Sequence, residues 1–464
     1  MQLTWNVGNH LKTRIHLHVW GKKLASAASQ SFVGPTALNI TKTTLLCAKP
    51  DPSGSLSVVQ TRALILDALS PVAGHELLPI RQALGRVLAA DVISALDVPA
   101  HDNSAMDGFA VNFADLVNDG LTRLHIVGTA LAGVPFTGKV GAGGTARIMT
   151  GAVMPAGADT VVMQEVAHME GDVVIIPAGQ RKGQHVRSAG EDLRAGRAAI
   201  QAGKRLGPAE LGVIASLGCA EVSVRRRVRV AIFSTGDELC SIGTPLAPGA
   251  VYDSNRYSLW GMLSRLGCEI IDMGVVKDDP LALENAFRDA AACADVIITS
   301  GGVSVGEADF IKSLMAQLGE VMFWKIAMKP GRPMAFGQIR SGGDQSSGAW
   351  LFGLPGNPVA VMVTFYQFVR PALLKLAGVT NADTLPEFSV RCAEPMRKLK
   401  GRTEFQRGIL FQDHGECWVR PTGSQGSGIL SSMMAANCFI VLPPESAQVN
   451  AGEMVAVQPF EGLV

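Results

Sequence analysis

Eight cysteines are scattered through the 464 residues (Cys47, Cys219, Cys240, Cys268, Cys293, Cys392, Cys417 and Cys438), and no two of them form a CxxC pair. That spacing speaks against a zinc ribbon or a disulfide framework and fits free thiols in a reducing compartment. Uninterrupted apolar runs are short, none approaching the roughly 18 to 20 residues a bilayer-spanning helix needs. No membrane association is expected, and the chain reads as cytoplasmic. An excess of either charge is also missing, because 41 Lys and Arg face 40 Asp and Glu. The balance is uneven, however: residues 1–50 contain six Lys or Arg and no acid, which leaves 35 basic against 40 acidic groups in the remainder. A slightly acidic body argues against nucleic-acid binding. Residues 1–55 therefore stand apart as a basic extension ending in a Pro, Gly and Ser linker. Their composition suits a transit peptide, a disordered stretch or an over-extended start.

What is present is apolar sequence, 47% of the chain, enough for two to four domains. The clearest single stretch runs from Ala294 to Phe310. Val296–Thr299 reads as a buried strand, Ser300-Gly301-Gly302 breaks it, and helical spacing resumes after Gly306. Backbone N–H groups of such a loop, beside a helix N-terminus, suit a phosphate or another oxyanion.

Around this stretch, strands and helices alternate: strand 228–233, helix 254–266, strand 269–276, helix 280–291, strand 296–299, helix 307–318, and strand 349–353 before a long apolar helix to about 376. That alternation predicts a doubly wound parallel sheet over 226–380. Before it, residues 97–186 read as short strands between Gly and Pro turns, an inserted β domain. Helical pieces at 56–69 and near 79–90, with another at 207–217, predict a helical amino-terminal domain from 56–96 and 187–225. After 381 the strands shorten again into a terminal β domain, with no helix required. The fold class is thus multidomain, α/β plus β.

Ligands of open α/β sheets sit beyond the carboxyl ends of the strands. Four loops fall there: Ser234–Glu238, Asp278–Pro280, Gly301–Gly306 and Pro355–Pro358. Two acidic loops opposite a phosphate loop suggest Mg²⁺, which is usually held by one or two carboxylates together with substrate phosphates. An Asp before Pro280 would equally be a helix cap. Extended residues 323–329 would put Lys325 and Lys329 on one face with Trp324, Ile326 and Met328 on the other, and Arg332 follows in the next turn. Gly302-Val303-Ser304-Val305-Gly306 also matches the G-x-S-x-G nucleophile elbow. Beyond Ser304 the one histidine is His414, set in a polar turn of a different domain, so the hydrolase lacks a base.

The motifs DNSAMDGFA (102–110), MTGA (149–152), VMQE (162–165), RSAGED (187–192), STGDEL (234–239), YDSNR (252–256), SGGVSVGEADF (300–310), KPGRPMAFG (329–337), GLPGNPVA (353–360) and FQRG (405–408) resemble, in this order, the MoeA family. These are molybdopterin molybdenumtransferases, related to the carboxy-terminal domain of gephyrin. The resemblance covers about 56–464 and implies that the third domain is of the molybdopterin-binding type. It further implies insertion of molybdenum from molybdate into adenylylated molybdopterin, with AMP released and Mg²⁺ required. Glu238, Asp278 and Asp309 are then the acidic group for Mg²⁺ and the adenylate. Lys325 and Lys329 are anion ligands, to which Arg332 is added on charge alone. Gly301, Gly302, Ser304 and Gly306 hold the pterin phosphate region, and Pro355 and Pro358 line the same substrate site. Asp107, Thr150, Arg187 and Asp192 contribute from the amino-terminal half, across a homodimer. A molybdopterin adenylyltransferase would be the substrate donor. Two other readings stay open, that adenylyltransferase activity itself and a non-catalytic, gephyrin-like dimeric scaffold.

Overall fold

The computed structural model describes residues 54–301, 308–341, 348–380 and 386–460, with the backbone alone for 308–312. All but the last two residues of the basic extension fall outside that range. Helix α1 (Val58–Ala68) opens with a capping box, in which Gln60 N donates to Ser57 Oγ at 3.1 Å and Ser57 N donates to Gln60 Oε1 at 2.9 Å. Its buried residues Val58, Thr61, Ile65 and Ala68 do not complete the next helical unit. Instead Arg62 donates to the carbonyl and side-chain oxygens of Gln367, and Lys375 Nζ donates to Leu66 O at 2.6 Å, so α1 docks on the α/β domain.

The helix expected near 79–90 is a single 3₁₀ turn, Ile80–Ala83. The apolar residues around it serve long-range pairing: His75–Pro79 runs antiparallel to Glu221–Arg225, and Val87 and Leu88 bridge to Arg205 and Val224. Helix α2 (Pro208–Ser216) follows the second half, with Pro208 at its first position and Glu210 accepting from Gly207 N at 2.9 Å. Ala83, Leu88, Ile200, Ile214, Val222 and Val224 share one core, which joins the two halves into a linking unit. Between them lies a six-stranded sheet ordered Thr160–Met163, Gly108–Val111, Gly144–Ile148, Leu121–Ala130, Val173–Pro177 and His168–Glu170.

The α/β domain holds β1 (Arg229–Thr235), β2 (Glu269–Val276), β3 (Val296–Ser300), β4 (Gly319–Lys325), β5 (Pro333–Arg340) and β6 (Gly348–Leu354), ordered β2-β1-β3-β6-β5-β4. β2, β1, β3 and β6 are mutually parallel, and β5, unforeseen in the sequence, runs antiparallel to both neighbours. The central strands are buried on both faces, as a doubly covered parallel sheet requires. Ala231, Phe233 and Ile297 pack against helices α4 (Pro280–Cys293) and α5 (Ala308–Leu318). The alternate residues Val230, Ile232 and Ile298 are equally buried on the other face, where α3 (Asn255–Leu266) and α6 (Pro358–Leu376) meet. Helix α6 is long and apolar enough to cross a membrane, but 83% of that stretch is buried inside the protein, as in a core helix.

The terminal domain is a closed barrel. Thr403–Asp413, Glu416–Pro421, Phe388–Cys392, Met454–Pro459 and Cys438–Leu442 pair in sequence, and the last returns to the first. One short helix, Ser431–Ala435, interrupts it where none was expected. Met328–Lys329 adds to the edge of Thr403–Asp413, tying the barrel to the α/β domain.

Candidate active site at the carboxyl edge of the sheet

From β1 the chain leaves toward β2, and from β3 it leaves in the opposite direction. The crevice between their carboxyl ends is therefore the topological switch point of the sheet. Gly301 lies there with φ +93°, so close to β1 that a Cβ on it would stand 2.3 Å from Thr235 O. Its N–H donates to Leu354 O at 3.2 Å, and Asn255 Nδ2 donates to Gly356 O at 2.7 Å, so Gly301 and the Pro355–Pro358 turn share one wall. Ser234 Oγ donates to Asp253 Oδ1 at 3.1 Å and meets Ser300 Oγ at 3.1 Å. Asp253, only 2% exposed, has its charge met by Arg256 (Nε at 3.1 Å), which continues to Asp272. The Thr235 and Thr299 hydroxyls and Asn255 Oδ1 are buried with no partner among the described residues. Buried polar atoms left over at a crevice are rare in folded proteins and suit a polar ligand.

The acidic loops reach the same edge. Gly236 has φ +148°, and the Glu238 carboxylate curls back over it, 2.6 Å from where a Cβ would be. Asp278 N points at Asp237 Oδ1 across a long 3.4 Å contact. The helix cap proves to be Asp279, whose Oδ2 accepts from Ala282 N at 2.9 Å ahead of Pro280. Asp278 is therefore not the capping residue. Gly302, Ser304 and Gly306 lie outside the described residues, and Asp309 is placed in the first turn of α5 without its side chain. Among the described residues no three Asp, Glu, His or Cys side chains gather closely enough to hold a metal by themselves.

Alternation through 324–329 is as expected, with Trp324, Ile326 and Met328 buried and Lys325 and Lys329 exposed. Lys329 is nonetheless shared, for Glu404 of the barrel, 5% exposed, lies 3.2 Å from its Nζ. Lys329, Pro330, Pro355 and Asn357 face Gln425 and Ser427 across a cleft of about 520 Å³. Arg407, 1% exposed and pushed to a lower pKa by burial, shapes the barrel's side of that cleft. It donates to Gly426 O at 3.1 Å and Ser432 Oγ at 3.0 Å, while its own N–H donates to Gln425 Oε1 at 2.8 Å.

Asp107 and Thr150 are joined directly, the carboxylate accepting from the Thr150 N–H and hydroxyl at 2.7 Å each. The backbone bond first, then the hydroxyl, holds the Asp107 carboxyl below its usual range. Arg187 stands exposed opposite Asn103, and Asp192, also exposed, borders a separate cleft of about 270 Å³. Among the described residues no hydrogen bond or ion pair links these four to the sheet edge. The fold thus brings together the loops of the α/β domain but leaves the amino-terminal group apart within one chain.

Three family models match in succession: the MoeA N-terminal region (domain I and II) over residues 56–218, a probable molybdopterin binding domain over 231–375, and the MoeA C-terminal region (domain IV) over 389–460. The chain belongs to the MoeA family. A molybdopterin molybdenumtransferase of Haemophilus influenzae is 43% identical over 411 residues, 88% of this chain and all of that protein. Its counterpart in Nostoc is 38% identical over 82% of this chain and 88% of its own length. Gephyrin of Dictyostelium discoideum is 33% identical, with 58% of its length matched. Among solved structures, a molybdopterin biosynthesis MoeA protein of Pyrococcus horikoshii superimposes with a TM-score of 0.73 at 28% identity, over 88% of this chain and all of that one. Within this MoeA-family chain, sequence reasoning assigned no role to Asp253, Asn255, Glu404 or Arg407. The YDSNR and FQRG motifs were the available signals for three of them.

Proposed function

We propose that this chain inserts molybdenum, supplied as molybdate, into adenylylated molybdopterin and releases AMP. The observation that carries the proposal is the convergence of Gly236–Glu238, Asp278, Gly301 and the Pro355–Pro358 turn on one crevice, open beside a cleft edged by lysine. Cleaving a phosphoanhydride beside a second oxyanion needs positive charge and directed N–H groups where negative charge builds up. The Gly301 loop is assigned to the pterin phosphate region, and Lys325, Lys329 and Arg332 to molybdate. Pairing with Glu404 holds Lys329 in place and tempers its charge, so that the site does not trap a dianion too tightly for transfer. The donor set suits Mg²⁺: hard carboxylate oxygens on facing loops, too few to bind the ion without substrate phosphates. Glu238 and Asp278, with Asp309 from α5, would hold it, and the bound ion supplies charge neutralisation on the phosphoanhydride.

A match to the full length of the Haemophilus influenzae relative favours this reading over an adenylyltransferase. Asp107, Thr150, Arg187 and Asp192 are assigned to the crevice of a second subunit in a homodimer, since within one chain they stand apart from it. A molybdopterin adenylyltransferase is the expected donor of the substrate. Asp278→Asn tests the assignment: molybdate-dependent transfer should be abolished while the oligomer, measured by light scattering, is unchanged. Transfer at the wild-type rate would remove Asp278 from the site.

A further inference from the structure

At the opposite, amino-terminal edge of the parallel strands, the run Arg225-Arg226-Arg227-Val228-Arg229 crosses from the linking unit into β1. Arg86, Arg225, Arg226 and Arg227 border a partly open cavity of about 40 Å³ there, with Cys268 also in its lining. The nearby carboxylates are Asp295, Glu76 and Glu269, the last of which adds its attraction to Arg226. Asp295 takes Arg226 through two bonds of 2.7 and 2.8 Å and receives Arg229 N at 2.8 Å, and Glu76 takes Arg86 at 3.1 Å. Among the described residues Arg227 donates to one carbonyl, Gly267 O at 2.8 Å. Arg205, close by, donates among the described residues to the carbonyls of Gly85 at 3.3 Å and Arg265 at 3.4 Å. Arg225 Nε is buried without a partner among the described residues, and its stem is wedged where a Cβ on Gly378 would come within 2.5 Å of it. Arg205 and Arg227 both face Cys268, whose thiol burial nevertheless pushes up to about 12.

Arg225 Nε, buried with no acceptor among the described residues, is costly there, while Arg227 is exposed. Arginine forks are shaped to take two oxygens of a tetrahedral anion. We propose that this cavity binds a small dianionic oxyanion of the phosphate class, held by Arg225 and Arg227 with Arg205 beside them. The volume admits roughly three waters or one such ion, which excludes a nucleotide. Because Arg86 and Arg205 come from the linking unit and Cys268 from the α/β domain, the ion would pin the two together, away from the catalytic edge.

The test is thermal unfolding of the full chain at constant ionic strength, titrating phosphate, sulfate or molybdate against chloride. A saturable rise in Tm with phosphate and sulfate is expected, since a ligand of the native state stabilises by mass action. Arg225→Met and Arg227→Met should each weaken the apparent affinity by about ten-fold or more, while Arg123→Met, on a distant exposed ion pair, and Lys325→Met, at the crevice, should not. Should Arg225→Met fail to fold, equilibrium dialysis of radiolabelled phosphate against wild type and Arg227→Lys gives the same answer, with about one site per chain expected. A rise confined to molybdate but lost in Arg225→Met supports the site and names the substrate oxyanion as its source. An equal rise with chloride, a rise unchanged in both arginine variants, or one lost only in Lys325→Met would overturn it.

Discussion

Gly301→Ala puts the crevice to a quantitative test. The new Cβ would stand 2.3 Å from Thr235 O and 3.2 Å from Thr235 Oγ1, at a φ of +93°. Two costs follow. A left-handed backbone costs an L-residue about 1–2 kcal/mol, and relieving the contact requires the loop to leave β1 by roughly 1 Å. Misplacement of a binding group by that distance costs about 100-fold in rate, equivalent to about 2.7 kcal/mol of transition-state stabilisation. The expected variant folds, loses about 2 kcal/mol in urea titration, and loses about 100-fold in kcat/KM for molybdate-dependent AMP release. Gly356→Ala is the matched control for stability, since its Cβ would meet nothing closer than Gly301 Cα at 3.9 Å, without positive φ. Its free energy of unfolding in urea should stay within about 0.5 kcal/mol of wild type. A Gly301→Ala protein with the wild-type rate and midpoint would refute the close approach of β1 and the glycine loop as the basis of the site.

Asp295→Asn should destabilise by about 2 kcal/mol at pH 7, as half-buried Arg226 loses its paired acceptor. Burial favours the protonated Asp295, but the Arg226 bonds, then the Arg229 N–H and both charges, outweigh it and depress the folded pKa. The stabilisation is therefore present above the ordinary carboxylate range and lost as pH falls through the folded pKa, so the gap between variant and wild type in urea should close in acid. A gap independent of pH would contradict the ion pair. Arg407→Met leaves Ser432 Oγ without its donor and Gly426 O with Ile429 N–H alone, and about 1–3 kcal/mol should be lost, together with ordering of residues 424–427 in hydrogen exchange. Mixing inactive Asp107→Asn with inactive Asp278→Asn chains under subunit exchange should restore about a quarter of the sites in a dimer with shared crevices. No recovery after verified exchange would place both residues in one chain's site.

Strong local patterns were legible in the sequence: the apolar run at Val296–Ser300, the Asp279–Pro280 helix start, and the alternation that buries Trp324, Ile326 and Met328. Each depends on neighbours within a few residues. Pairings between distant segments were not. The apolar residues near Ile80 look helical in isolation, yet their neighbours His75–Pro79 pair with Glu221–Arg225, which no local signal encodes. Strand β5 was hidden because it begins at Pro333, inside a turn signal, and reverses direction in an otherwise parallel sheet. Lys329 read as a free cation because Glu404, its partner, comes from another domain. At the crevice, residue types announced chemistry but not support. Asp253 and Asn255 hold Ser234 and Gly356 in place from within a short stretch that otherwise resembles an ordinary helix start.

The most direct measurement is AMP release from adenylylated molybdopterin by the purified chain, with molybdate and Mg²⁺ each added or withheld. Release that requires both, with active molybdenum cofactor formed, is the expected result. A protein that binds the adenylate yet releases no AMP under any of these conditions would contradict the proposed transfer at this crevice.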